Sequence, residues 1–244
     1  MTKLNIKNLS YRIGEKIILD NISFSCDSGE VIAIVGKNGV GKTTLLNNIL
    51  ENINKTENIQ LNEKANFGYV PQFRQIDEEL PLSVEDFVAL PLSNKIVPWL
   101  SKKEKQRIQE VLELTNSLKQ KKKSIGTLSG GERQRVLFAK ILTQESQVIL
   151  LDEPTASLDM RHEEDLLKEV SKERAKDKIV ILVIHNLRTA IKYCSRLILL
   201  SNGSIVKDGS IEEVITEENL NNVFGIKTKV YYNEISKSLD FCII

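Results

Sequence analysis

The stretch GKNGVGKTT, at residues 36–44, has the residue types and the spacing of a phosphate-binding loop. It fits the pattern G-x-x-x-x-G-K-[ST] and lies between an apolar run typical of a strand and a run typical of a helix. Lys42 adds a positive charge, and the Thr43 hydroxyl is suited to holding Mg²⁺. A simple glycine-rich turn is the weaker interpretation, because both flanking elements fit. We expect a nucleoside triphosphate to bind to the backbone and side chains of Gly36, Lys37, Asn38, Gly39, Val40, Gly41, Lys42, Thr43 and Thr44.

Two carboxylates and a histidine follow apolar runs farther along the chain. Asp152 and Glu153 end the run VILLDE, and His185 ends the run IVILVIH. Ligands of open α/β sheets bind at the carboxyl ends of the strands, where Asp152 is suited to holding a metal ion. Glu153 is placed to orient and deprotonate a water molecule beside the γ-phosphate. Alone, Asp-Glu-Pro is equally typical of a solvated turn and a lone histidine is usually structural, but the phosphate loop favours the functional interpretation.

A second stretch, LSGGERQRV at residues 128–136, has only part of a phosphate site. Ser129, Gly130 and Gly131 open a predicted helix, whose N-terminus attracts anions. The stretch has no lysine comparable to Lys42. The sequence therefore contains one complete phosphate-binding motif and one partial motif.

The elements that position these residues alternate between strand and helix. Continuous apolar runs predict strands that are buried on both faces, and apolar residues spaced three and four apart predict helices between them. This order predicts an α/β fold with a mainly parallel sheet. The predicted strands are residues 30–36, 147–153, 178–185 and 196–203, and the predicted helices are residues 42–53, 131–144 and 161–174.

Three regions depart from this alternation. The runs KLNIKNLSYRI and KIILDNISFS predict an antiparallel pair at one edge, and SNGS at residues 201–204 predicts a hairpin. Strand-like runs disappear from about residue 73 to residue 128, which predicts a helical insertion with its clearest helix at residues 101–114. In the tail, TKVYYNEI is consistent with one more strand.

Composition excludes several classes of protein. The chain has 244 residues, with 34 Lys and Arg against 33 Asp and Glu, and this net charge of +1 gives no basic field for nucleic acid. The cysteines Cys26, Cys194 and Cys242 have no metal-ligand spacing and suit a reducing compartment. No signal peptide is evident, and the longest apolar runs are far shorter than the roughly 20 residues that span a bilayer. We expect a soluble chain without a nucleic-acid partner.

Together the motifs resemble those of the ATP-binding cassette (ABC) ATPases over residues 4–225. The phosphate loop is followed by a glutamine (Gln72, in GYVPQ), the LSGGE signature, Asp152 with Glu153, an SLD loop ending at Asp159, and His185. The resemblance implies a P-loop cassette at residues 1–225, with a tail of unknown role at residues 226–244. It also implies ATP and Mg²⁺ as cofactors. The implied catalytic residues are Glu153, His185, Gln72 and Lys42, and the implied metal-site residues are Thr43, Gln72 and Asp152.

In that family two cassettes pair head to tail, and the signature of one covers the γ-phosphate that the other binds. Ser129, Gly130, Gly131 and Asp159 would then contact the nucleotide of a second copy, which explains why the partial motif needs no lysine. Two positions depart from the family pattern. Ile13 occupies the position before Gly14 where an aromatic residue commonly stacks on adenine, with Tyr11 two residues earlier on the same predicted strand face. Asn186 follows His185 where aspartate is usual.

The resemblance is greatest to the ATPase subunits of zinc, manganese and iron-chelate importers, on the evidence of LPLSVEDFVAL at residues 80–90 and SIEEVITEENLNNVFG at residues 210–225. It implies a peripheral location on the cytoplasmic face of the plasma membrane, integral permease subunits as partners, and indirectly a substrate-binding protein. Residues 73–99 would line the groove that receives the permease, with VPWL at 97–100 as a candidate apolar anchor. The alternative is a soluble ABC ATPase outside transport, such as a component of iron–sulfur assembly.

Overall fold

The computed structural model describes residues 2–62, 65–72, 80–92 and 100–244. Strands and helices alternate through most of this part of the chain. The strands are β1 (Lys3–Ile13), β2 (Lys16–Asp27), β3 (Glu30–Val35), β4 (Ile59–Leu61), β5 (Phe67–Val70), β6 (Val148–Asp152), β7 (Ile179–Val183), β8 (Arg196–Ser201), β9 (Ser204–Gly209), β10 (Thr228–Asn233) and β11 (Ser238–Ile243). The helices are α1 (Lys42–Asn52), α2 (Val84–Ala89), α3 (Lys102–Leu114), α4 (Gly130–Gln144), α5 (Met160–Lys172), α6 (Leu187–Tyr193), α7 (Ile211–Val214) and α8 (Glu217–Phe224).

A six-stranded sheet forms the centre of the fold. Its strand order is β5-β6-β7-β3-β8-β9; the first five are parallel, and β9 pairs antiparallel with β8. Every residue of β6 and β7 is buried, as expected for parallel strands covered on both faces. The Asn202-Gly203 turn joins β8 to β9 with positive φ at both residues, which is the hairpin that the sequence predicts.

The two faces of this sheet belong to two apolar clusters. Alternate residues of β3 point to opposite faces, so Val31, Ala33 and Val35 pack with the helices α2 to α6, whereas Ile32 and Ile34 pack with α1 and the antiparallel sheet. That second sheet has the order β2-β1-β4 and contains the predicted antiparallel pair. The α/β fold with a mainly parallel core and an antiparallel edge is confirmed.

Helices dominate the segment that follows β5. Residues 80–92 and 100–128 contain α2, α3 and short 3₁₀ turns, and among these described residues only an isolated bridge between Ser83 and Ser124 is strand-like. Three strands were not predicted. The short β4, IQL, pairs with β1, and the short β5, FGYV, joins the edge of the central sheet. The third, β11, pairs with β10, so the tail forms a hairpin instead of one strand.

Candidate functional site

The loop between β3 and α1 has a backbone that only glycine fits at two positions. Gly36 has φ +157, and a Cβ atom there would lie 2.2 Å from the Leu200 carbonyl oxygen. Gly41 has φ +103, and its Cβ atom would lie 2.9 Å from the Ile18 carbonyl oxygen. The loop is therefore held against β2 and β8 by contacts that exclude any side chain, and this closeness shapes the backbone for a ligand.

Lys42 folds back over this loop. Its Nζ donates hydrogen bonds to the carbonyl oxygens of Gly36, at 2.9 Å, and Lys37, at 2.8 Å. Burial lowers the pKa of Lys42, although the nearby carboxylates of Glu153 and Asp152 act in the opposite direction. The Lys42 ammonium group is thus buried in the loop, where its hydrogen-bond partners are backbone oxygens. A phosphate oxygen bound in the loop could accept from it in their place.

Thr43 and Asp152 meet at the carboxyl end of β6. The Thr43 hydroxyl donates to Asp152 Oδ1 at 3.1 Å, and Asp152 Oδ2 is buried without a hydrogen-bond partner among the described residues. Burial is the largest influence on Asp152 and raises its pKa. A hydroxyl and a carboxylate with an unpaired oxygen are the hard ligands that Mg²⁺ prefers, so these two side chains fit such an ion.

Glu153 lies next to them with an unusual backbone. Its φ of 49 is in the left-handed region, which costs about 1–2 kcal/mol for a residue other than glycine. The conformation directs the carboxylate to two partners: Gln72 Nε2 donates to Oε2 at 2.9 Å, and His185 Nε2 contacts Oε1. These three residues follow the neighbouring strands β5, β6 and β7, so the sheet edge itself brings them together.

These side chains surround one cavity of about 400 Å³. Ile18 on β2 also lines it, and no motif in the sequence distinguishes this isoleucine from its neighbours. Gly36, Lys37 and Asp152 do not line the cavity themselves but contact residues that do. The Gly36 and Lys37 carbonyl oxygens accept from Lys42, and Asp152 accepts from Thr43. The lining residues are Ile18, Asn38, Gly39, Gly41, Lys42, Thr43, Thr44, Gln72, Glu153 and His185.

Comparisons with known proteins place this chain in a family. A family model described as "ABC transporter" matches residues 19–156. The chain belongs to the ABC transporter family. Similar proteins include the hemin import ATP-binding protein HmuV of Aliivibrio fischeri, 35% identical over 93% of this chain and 92% of that protein, and the zinc import ATP-binding protein ZnuC 2 of the same species, 36% identical over 91% and 88%. The manganese transport system ATP-binding protein MntB of Listeria innocua is 32% identical over 91% and 96%.

Solved ABC structures share the fold. A metal-chelate type ABC transporter in an inward-facing conformation matches with a TM-score of 0.82 and 24% identity, covering 100% of this chain and 97% of that chain. A bacterial ABC transporter cassette solved as a dimer matches with a TM-score of 0.69 and 26% identity, covering 86% and 99%. This chain is accordingly an ABC-type, nucleotide-binding ATPase. Among its described residues, no helix has the length and apolarity that crossing a membrane requires.

The signature of this ABC cassette begins α4 and does not line the cavity. Ser129 is the N-cap residue: its hydroxyl accepts from the Glu132 N–H and donates to the Glu132 carboxylate, which in turn accepts from the Ser129 N–H. The Ser129 N–H bond is the main cause that lowers the pKa of Glu132 to about 2. At Gly131 a Cβ atom would lie 3.0 Å from the Ser157 carbonyl oxygen, so the signature packs against the SLD loop.

Three other residues singled out in the sequence also lie apart from the lining. Asp159 caps α5 by accepting from the His162 N–H at 3.0 Å. Tyr11 and Ile13 are exposed on the hairpin of β1 and β2, with a register irregularity just after Tyr11, and the cavity wall on this side is formed by Ile18.

Asn186, the other departure from the family pattern, is the N-cap of α6. Its side-chain oxygen accepts from the N–H groups of Arg188, at 3.1 Å, and Thr189, at 3.4 Å. An aspartate would accept the same two bonds, so the substitution keeps the cap and removes only a charge.

Proposed function

We propose that this ATPase is the nucleotide-binding subunit of a bacterial-type importer, with zinc or manganese as its cargo. The observation that carries the ATPase part of this proposal is the convergence of Lys42, the Thr43–Asp152 pair and Glu153 around one cavity, at the edge of the sheet where the phosphate-binding loop ends. Each of these groups has a distinct task in ATP hydrolysis.

The loop and α1 bind the triphosphate. The N–H groups at the start of α1, where no side chain caps the helix, would donate to the phosphates, and Lys42 would exchange its backbone acceptors for phosphate oxygens. Thr43 and Asp152, with Gln72 beside them, would hold Mg²⁺, which supplies charge neutralisation of the β- and γ-phosphates. Ile18 would cover the nucleotide by apolar contact, and Tyr11 or Ile13 would reach it only from the exposed hairpin.

Glu153 is the proposed general base. It accepts a proton from the attacking water molecule, and the hydrogen bonds from Gln72 and His185 hold its carboxylate in place. Because Gln72 follows β5 and His185 follows β7, the base is held from both sides by groups of the same sheet. His185 would donate to the γ-phosphate, in place of Glu153, as negative charge develops there.

The signature completes the site of a second copy. Ser129, Gly130, Gly131 and Asp159 lie outside the cavity of their own chain, and a similar cassette has been solved as a dimer. In a head-to-tail homodimer the N-terminus of α4 would face the γ-phosphate that the partner's loop binds.

The transport role rests on the relatives, whose names specify import of hemin, zinc and manganese. The cassette would act at the cytoplasmic face of the plasma membrane with integral permease subunits and, through them, a substrate-binding protein. Gln72 would transmit the permease position to Glu153, which it contacts. Of the proposed permease groove at residues 73–99, the structure describes residues 80–92, and Val97–Trp99 of VPWL lie outside the described residues.

The full chain, tagged and purified from detergent-solubilised membranes of its source, tests this role. We expect it to copurify with a polytopic membrane protein and, in proteoliposomes, to support ATP-dependent uptake of radioactive zinc or manganese. The same complex with Glu153→Gln should assemble and take up neither ion. Uptake of hemin alone would show that the proposed zinc or manganese cargo is wrong. Recovery of the chain without any membrane protein would contradict the importer role but not the ATPase activity.

A further inference from the structure

The C-terminal hairpin of β10 and β11 is fixed to the cassette. Val230, Leu239 and Phe241 pack against the main apolar cluster, and β11 lies along α6. On the other side, Lys229 pairs with Glu217 of α8 at 3.1 Å. Residues 228–243 thus form a packed extension with two separate attachments, one to α8 and one to α6.

The attachment to α6 is made by Arg188. Its Nε donates to Asp240 Oδ1 at 2.8 Å, Nη2 donates to the Phe241 carbonyl oxygen at 2.8 Å, and the guanidinium lies 5.2 Å from the centre of the Phe241 ring. Burial alone would raise the pKa of Asp240, but hydrogen bonds from Arg188, the Phe241 N–H and Asn233 lower it overall. Several oriented contacts therefore fix one side chain of α6 to the hairpin.

This attachment reaches the turn that carries His185. Arg188 lies in the first turn of α6, and its own N–H is one of the two that Asn186 caps. His185 immediately precedes Asn186, and its ring contacts Glu153. An adjacent face of the same helix is held to α5 by Thr189, whose hydroxyl lies 3.3 Å from Glu163 Oε1. The hairpin and α5 thus hold the start of α6 between them.

We propose that Arg188, bound by Asp240 and Phe241, is a positioning residue for His185, through which the C-terminal hairpin sets the rate of ATP hydrolysis. The inference rests on the proposed role of His185. The Arg188 side chain is 61% exposed, so folding has little need of its ion pair with Asp240. The anchoring of Arg188 instead orients the first turn of α6, which His185 and Asn186 precede.

Variants of the pair in the purified full chain test this proposal. Asp240→Asn and Arg188→Gln should each lower kcat for ATP about 3- to 10-fold, while KM stays within about 2-fold, because misplacing a catalytic group affects the reaction more than binding. The double variant should be no slower than either single variant, since both remove the same contact. Thermal unfolding should shift little in all three.

Two further variants separate positioning from general loosening. Lys229→Gln removes the ion pair between the same hairpin and α8, leaves the Val230 N–H bond to Glu217 in place, and should keep the wild-type kcat. In a His185→Ala background, Asp240→Asn should cause no additional loss. A wild-type kcat in Asp240→Asn, an equal loss in Lys229→Gln, or an additive loss with His185→Ala would each overturn the proposal. If His185→Ala itself hydrolyses ATP normally, the proposed role of His185 fails instead.

Discussion

The two glycine-containing helix starts of this cassette are built in opposite ways. At α1 the N-cap is Gly41, in the left-handed region, with no side-chain hydrogen bond to the helix. At α4 the N-cap is Ser129, and a complete capping box with Glu132 satisfies two backbone N–H groups. The first helix therefore leaves its N-terminal donors for a ligand, whereas the second already satisfies part of its own.

Charge separates the two helix starts further. The first turn of α1 contains Lys42, which neutralises a bound phosphate, whereas that of α4 contains Glu132, whose pKa of about 2 keeps it negative at neutral pH. A triphosphate could not be bound by α4 alone. The start of α4 is therefore suited to completing a site whose charge is balanced elsewhere, in agreement with the proposed head-to-tail pairing.

The largest expected effect is at the α1 site. Glu153→Gln keeps the shape of the base and its hydrogen-bonding capacity but cannot accept a proton, so kcat should fall about 10²- to 10⁴-fold with ATP binding retained. Glu145→Gln is a matched control, because Glu145 is also a glutamate with positive φ, at the end of α4. For both variants, steady-state hydrolysis measures kcat and nucleotide titration measures ATP binding. A Glu153→Gln variant that hydrolyses ATP at the wild-type rate would remove the base assignment.

The comparison of the two helices is tested directly by Lys42→Ala and Ser129→Ala. Lys42→Ala should weaken ATP binding about 10- to 100-fold, because it removes a charged hydrogen-bond donor. Ser129→Ala should leave binding to the same chain nearly unchanged and slow hydrolysis about 10-fold, since it acts on the site of the partner. Ser101→Ala removes an equivalent capping box from α3 and should affect neither. Equal losses of binding in Ser129→Ala and Lys42→Ala would show that α4 serves its own chain.

Much of this contrast is predictable from sequence, for a physical reason. Gly36, Gly41 and Lys42 lie within one short loop, and the apolar strands that end at Asp152 and His185 fix the neighbouring edge of the sheet. The left-handed backbone of Glu153 and the contact of Ile18 with the cavity have no local signal. The same holds for Arg188 and Asp240, which are 52 residues apart, because their pairing depends on where the hairpin packs.

A smaller effect concerns stability at the α1 site. Burial raises the pKa of Asp152, so the charged form of this residue destabilises the folded chain. The chain is therefore most stable below the unfolded pKa of Asp152, where the carboxyl is protonated in both states, and loses stability as pH rises through the folded pKa. Asp152→Asn should therefore raise the Tm of the nucleotide-free chain at pH 8 by about 2–4 °C, or about 1 kcal/mol. The gain should shrink as pH falls toward and below about 4, where the unfolded carboxyl also becomes protonated. A lower Tm at pH 8 would show that the charge is stabilised in place.

An effect of similar size lies at α4 and has the opposite dependence on pH. Because the pKa of Glu132 is lowered to about 2, its stabilisation is present above the unfolded pKa of about 4.3 and is lost as pH falls toward 2. Glu132→Gln should lower the Tm at pH 6 by the equivalent of about 1 kcal/mol, the usual value of a helix cap, and the difference from wild type should narrow steadily between pH 5 and pH 3.

Glu145→Gln, at the other end of α4, removes a carboxylate without touching the cap and controls for the change in net charge. If Glu132→Gln and Glu145→Gln give the same Tm at every pH, the carboxylate is not part of a stabilising cap. The start of α4 would then be capped by the Ser129 hydroxyl alone, and the contrast between the two helices would be weaker.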